Sequence, residues 1–225
     1  MSTFHFPASR WGAAAVHVGF SAILLLVIIS LVYFIWYPGA LTFAGGAEDG
    51  LKIVIAVDMI LGPLLTLVIY NIAKPRKELI RDLSIIALFQ ISCLVAGMSF
   101  VYEQRPLVVV YNTHHFQIYD AQKLEGNNIQ INLLDKYSGS YPKIILERVP
   151  KDPTAAAQHS VNKMLGTVDI STLWESFPKD SSSLSELFKI ETATPCIKKN
   201  IHSYNSEGSI CFNPNTLSFS DFQKL

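Results

Sequence analysis

The chain has 225 residues, 50% of them hydrophobic, and its 18 basic and 18 acidic side chains cancel to a formal net charge of zero. This balance, with no extended basic patch, excludes non-specific nucleic-acid binding, which needs an array of Lys and Arg to track phosphates. The charge is unevenly placed: twelve of the 18 basic and thirteen of the 18 acidic residues lie from Glu103 onward. An apolar first half therefore precedes a tail of about 120 residues, enough for one folded domain.

No Asp, Glu, Lys or Arg occurs between Arg10 and Glu48. At about 1.5 Å rise per residue, roughly twenty apolar residues cross a hydrocarbon core of about 30 Å, and the stretch from Gly12 to Tyr37 exceeds that with room for tilt. It is longer than a signal peptide's apolar region, and the small residues Ala44 to Ala47 come only after Pro38 and Gly39, so an uncleaved anchor is expected. Leu51 to Ala73, interrupted by Lys52 and Asp58, and the uncharged Leu83 to Tyr102 also have spanning length. Arg10 and the basic connection Lys74, Arg76, Lys77 and Arg81 place the N-terminus and the second loop in the cytoplasm by the positive-inside rule. The tail is then exported, in a Gram-negative cell to the periplasm. The expected architecture is a three-helix transmembrane region over residues 1–104, with spans of about 12–37, 51–73 and 83–102, followed by a periplasmic α+β domain over 105–225. So little chain remains in the cytoplasm that kinase, nucleotide-binding and DNA-binding domains are excluded.

In the tail, the β-rich run Leu107 to Tyr111 and the alternating Phe116 and Ile118 predict a hairpin, turning at Asn112 to His115. Ile129, Ile131 and Leu133 alternate with polar residues as a strand would, and Lys143 to Val149 predicts a further strand before Pro150. Asp152 followed by Pro153 starts a helix that should end near Leu165, with Gly166 just beyond. Ser183 and Glu186 have capping-box spacing and predict a second short helix. Cys196 and Cys211 bracket a polar Asn/Ser-rich segment, and in an oxidising compartment a structural disulfide between them is favoured over two free thiols. Their spacing is not that of a C-x-x-C redox site. Cys93, within the third span, reads as a buried thiol.

Sequence support for catalysis is lacking. The chain has no G-x-S-x-G elbow, no phosphate-cradling Gly-rich loop, no paired cysteine knuckles, and no two histidines at i, i+4 spacing. No catalytic, metal or cofactor residues are expected, and no small-molecule substrate. Asp58 stands out because a carboxyl group inside a span is costly unless it has partners, so it should face the bundle interior. Ser30 or Tyr33 and Ser99 or Tyr102 are the hydroxyls expected to meet it. Gly62 and Pro63, just beyond, predict a bend where another backbone can come close. Asp58, Gly62 and Pro63 therefore read either as glue between helices or as a partner-binding point. A second intramembrane carboxylate, which an aspartyl protease requires, is missing from the other spans.

At these residues the chain resembles the type IV pilin accessory protein family, TfpX/TfpZ. The resemblance rests on Trp36-Tyr37-Pro38-Gly39, Gly45-Gly46, Asp58 with Gly62-Pro63-Leu64-Leu65-Thr66, Lys74-Pro75, Asp82 and Arg105-Pro106. It covers about the first 110 residues; the tail matches in layout. The resemblance implies a non-enzymatic, chaperone-like inner-membrane protein that assists assembly and surface display of a cognate type IV pilin, its partner alongside the lipid bilayer. The alternative is a small structural or assembly subunit of another envelope machine; a transporter component has less support.

Overall fold

The computed structural model describes residues 7, 9–112, 114–150, 152–165, 169–178, 180–188, 196–204 and 206–225. Helix α1 (Arg10–Leu31) runs on through a π-helical turn, Val32–Trp36, and the short α2 (Leu41–Ala44) follows. Next come α3 (Ala47–Ile55), a second π-helical segment (Ala56–Leu61), α4 (Gly62–Ile69) and the long α5 (Arg76–Glu103). Three helices, Arg10–Trp36, Ala47–Ile69 and Arg76–Glu103, are long and apolar enough to cross a membrane. A helical membrane part followed by an α+β domain is thus the fold class. The basic residues Arg76, Lys77 and Arg81 ride on the first turns of α5 instead of filling a loop, because Glu78 and Leu79 N–H already bond the Pro75 carbonyl.

The bend expected at Gly62 and Pro63 takes the form of the π segment. Pro63 has no N–H to offer four residues back, and the Gly62 N–H reaches five residues back to the Val57 carbonyl. The chain divides into two compact units. One comprises the described residues of Met1–Leu31 together with Glu48–Tyr102; the other comprises Val32–Ala47 together with the described residues of Glu103–Leu225. The segment after α1 is built into the second unit. There α2 packs on the last strand, and Ala40 N–H donates to the Phe219 carbonyl.

The second unit is organised by a seven-stranded mixed sheet in the order β4-β3-β1-β2-β5-β6-β7. Its elements are β1 (Val108–Asn112), β2 (His115–Tyr119), α6 (Ala121–Gly126), β3 (Lys143–Glu147), α7 (Pro153–Met164), β4 (Trp174–Ser176), α8 (Ser181–Phe188), β5 (Ile197–His202), β6 (Glu207–Asn213) and β7 (Ser218–Lys224). β1 pairs parallel with β3, β2 parallel with β5, and the other pairs are antiparallel. Side-chain alternation sends Val109 and Tyr111 to one face and Val108 and Val110 to the other, and both faces are covered. Phe116, Phe177, Phe188, Phe212 and Phe219 build the first core with α2 and α8; Tyr119, Leu124, Leu134, Ile145 and Trp174 build the second. A strand buried on both faces reads as the unbroken apolar run seen at 107–111.

The hairpin, the strand from Lys143 and the helix from Pro153 lie where the sequence puts them, although Thr113 of the turn and Gly166 lie outside the described residues. Asp152 caps α7, accepting from Ala155 N–H at 2.8 Å.

Two expectations are corrected. Residues 129–133 are not a strand: a 3-10 helix covers Ile131–Lys136, and the buried residues are Ile129, Leu134 and Tyr137 while Ile131 points out. The second short helix starts earlier than a Ser183 cap allows, at Ser181, because the Asp180 carboxylate accepts from Ser183 N–H and Ser182 Oγ, both at 2.8 Å. These bonds draw the Asp180 carboxyl down to about 2. The polar segment between Cys196 and Cys211 forms the β5–β6 hairpin. The two cysteines are joined by a disulfide with Cα atoms 5.2 Å apart.

Candidate functional site

The polar side chains of the membrane unit converge. Asp58, in the π segment, is 3% exposed; Thr66 on α4 is 3% exposed and Gln90 on α5 is 9% exposed. Gln90 of α5 is the side chain that bonds the Asp58 carboxylate, and its amide and the His17 ring of α1 both come up against Gly62. His17 Nδ1 lies 2.6 Å from Thr66 Oγ1, and Thr66 Oγ1 donates to the Gly62 carbonyl at 3.1 Å. All three spans thus contribute to one cluster, as polar groups in hydrocarbon must to be satisfied.

Gly62 is what lets the cluster close. A Cβ at residue 62 would collide with the Gln90 amide and sit 3.1 Å from His17 Nε2. Of the residues singled out in sequence, Asp58, Gly62 and Pro63 are all buried here, and the bend beside them is filled by this chain's own His17 and Gln90. Asp58 Oδ2 is buried with no hydrogen-bond partner. The hydroxyls expected around Asp58 do not supply its bond. Ser30 Oγ instead donates at 2.7 Å to the Leu26 carbonyl of its own helix, the back-bonding that short hydroxyl side chains favour. The longer amide of Gln90 reaches across. Nearer the end of the bundle, Lys74 and Asp82 form a 2.8 Å ion pair.

In the sheet unit, Tyr37 is fully buried, and burial first, then the Asp120 carboxylate, push its phenol up, with the Arg105 guanidinium opposing them. Thr42 Oγ1 donates to the Tyr37 carbonyl at 2.8 Å. Gly39 turns the chain with φ of 65°, and a Cβ there would stand 2.8 Å from the Phe219 carbonyl oxygen. The Tyr37 and Gly39 pair is therefore the joint that fixes α2 onto β7. At the other end of the sheet, buried Glu147 takes bonds from Lys163 at 2.7 and 2.8 Å and from His159 at 3.2 Å, tying α7 to β3. His115 opens onto the same cleft, of about 300 Å³. Burial, then His202, Lys163 and His114, hold its imidazole below the ordinary histidine range, against the Glu147 carboxylate. Among the described residues, no group of three or more His, Cys, Asp or Glu is arranged to hold a metal ion.

The fold and this cluster define a three-span membrane protein carrying a disulfide-linked α+β domain. No family model matches the chain, and no solved structure matches it. Known proteins do. The fimbrial assembly protein of serogroup E1 from Dichelobacter nodosus is 31% identical over 105 residues, 47% of this chain and 41% of that protein. That of serogroup I is 30% identical over 105 residues, again 41% of its length, so the match spans less than half of these two relatives. The fimbrial assembly protein of serogroups C1 and C2 is 30% identical over 105 residues, which make up 80% of that shorter protein. The chain belongs to this family of fimbrial assembly proteins.

Proposed function

We propose that this chain is a non-enzymatic accessory protein of the bacterial inner membrane that assists a cognate type IV pilin on its way to assembly and surface display. Kinship with fimbrial assembly proteins, in a chain with both a membrane bundle and an α+β domain, carries the reading. A fibre subunit with an apolar helix in the bilayer and a folded head beyond it would meet a surface at each level. In this reading the N-terminus is cytoplasmic and the sheet domain periplasmic, an orientation that the basic residues at Arg10 and from Lys74 to Arg81 support.

In this reading Asp58, Gly62 and Pro63 serve the partner by setting the packing of the spans, since their own bend is filled. The pilin helix is received on the outer face of the bundle. There Gly19 on α1 is open, with nothing within 4 Å of an added Cβ, whereas Gly50, Gly62 and Gly97 close on Val101, Gln90 and Val54. Deleting the gene in a piliated strain tests the proposal: surface pili should fall while pilin accumulates in the inner membrane, and the intact gene should restore them. Unchanged piliation would reject it.

A further inference from the structure

The spans of the membrane unit do not end alike. Tyr70 Oη, at the close of α4, donates to the Pro7 carbonyl at 2.6 Å, and Ala13, Tyr70 and Leu79 pack together against Leu83. The start of α1, the end of α4 and the start of α5 are thereby gathered at one end of the bundle. Among the described residues they bring five basic side chains, Arg10, Lys74, Arg76, Lys77 and Arg81, against two acidic ones, Glu78 and Asp82. Asp82 does not cancel the excess, because its one carboxylate is shared between Lys74 at 2.8 Å and Arg81 at 3.5 Å. Two helices begin here and one finishes, so the backbone dipoles add to the positive field. At the opposite end of the second span Lys52 is held by both Glu48 and Asp49, and the balance is negative.

The basic side chains stand beside exposed apolar ones. Trp11 is 71% exposed, Ile72 63% and Ile80 50%, on the same three segments as Arg10, Lys74 and Arg76 to Arg81. Trp rings and the stems of Lys and Arg settle where hydrocarbon meets headgroup, so the patch pairs a cationic rim with an apolar flank. A free phosphate would use the first and leave the second uncovered; a phosphate carried on acyl chains uses both. We propose that this end of the bundle binds the phosphate headgroup of an anionic phospholipid, its acyl chains running along the apolar exteriors of α1 and α5. Arginine supplies a planar fork for two phosphate oxygens and lysine a point charge, and the patch has both. Binding fixes the level of these helices in the bilayer and makes the bundle sensitive to the anionic lipid content of its membrane. The inference depends neither on the pilin reading nor on which side of the membrane this end lies, because only this chain and a lipid take part.

The test is native mass spectrometry of the full chain, purified in a neutral detergent with no partner and titrated with phosphatidylglycerol or with phosphatidylcholine of the same acyl chains. Phosphatidylglycerol should bind at least roughly fivefold tighter, and the preference should shrink as salt rises. Arg10→Gln, Arg76→Gln and Lys77→Gln together should abolish the preference. Lys52→Gln, at the negative end, should leave it unchanged, and inorganic phosphate should not displace the lipid. Equal binding of the two lipids by the wild-type chain would overturn the proposal. So would a preference that survives the three Gln changes, is lost in Lys52→Gln or is erased by phosphate. The wild-type comparison decides even where a variant folds poorly.

Discussion

One methyl group at residue 39 tests how the segment after the first span is locked into the sheet domain. Gly39 holds φ of 65°, and its missing Cβ leaves room for the Phe219 carbonyl, 2.8 Å from where the atom would be. Gly39→Ala combines backbone strain with a clash against rigid backbone and should cost roughly 1–3 kcal/mol in thermal or denaturant unfolding of the full chain. Wild-type stability would show that α2 is not fixed through this turn. His115 gives a pH test. Its folded imidazole titrates below the value of 6.5 it has when unfolded, so its contribution to stability is complete above about 6.5 and is lost as pH falls through the lowered value. His115→Gln should flatten the acid side of the stability curve, and an unchanged slope would contradict this. At this scale Asp58 was legible because a lone carboxylate in a span demands partners. His17 and Gln90 were not, since one span does not reveal which faces meet, although a His and a Gln at similar distances from the basic flanks of their spans were the available signal.

The β5–β6 hairpin shows why elements were harder to read than residues. Ile197 and Ile201 point into the core and Lys198 and Asn200 point out, but Lys199 and His202 are only partly buried, so the alternation is faint among so many polar residues. The central β1 was plain because burial on both faces allows no polar residue. Residues 129–133 misled because their alternation coincided with a 3-10 turn; hydrophobic period alone does not exclude one. The disulfide now has an element to hold together, closing 15 residues across neighbouring strands. Replacing both Cys196 and Cys211 by Ser should lower unfolding stability by about 3 kcal/mol through loop-closure entropy. An unchanged denaturation midpoint would mean that the hairpin needs no tie.

For the whole molecule, the count of spans and the presence of an α+β domain followed from the charge gap between Arg10 and Glu48 and from the charge-rich tail. The inclusion of Val32–Ala47 in the sheet unit did not, because it depends on tertiary contacts of Tyr37, Leu41 and Ala44. Alkaline phosphatase fused after Leu225 should be active, and inserted at Asn71 to Pro75 inactive, if the sheet domain is periplasmic; the reverse would invert the topology. The central claim is that the chain holds a fibre subunit in the membrane before assembly. The direct measurement is the amount of cognate pilin recovered when the tagged full chain is purified from membranes of cells making both. The account predicts clear recovery over an untagged control, reduced several-fold in Gly19→Leu, a lipid-facing change that leaves the polar cluster in place. Pilin recovery no higher than the control would contradict it.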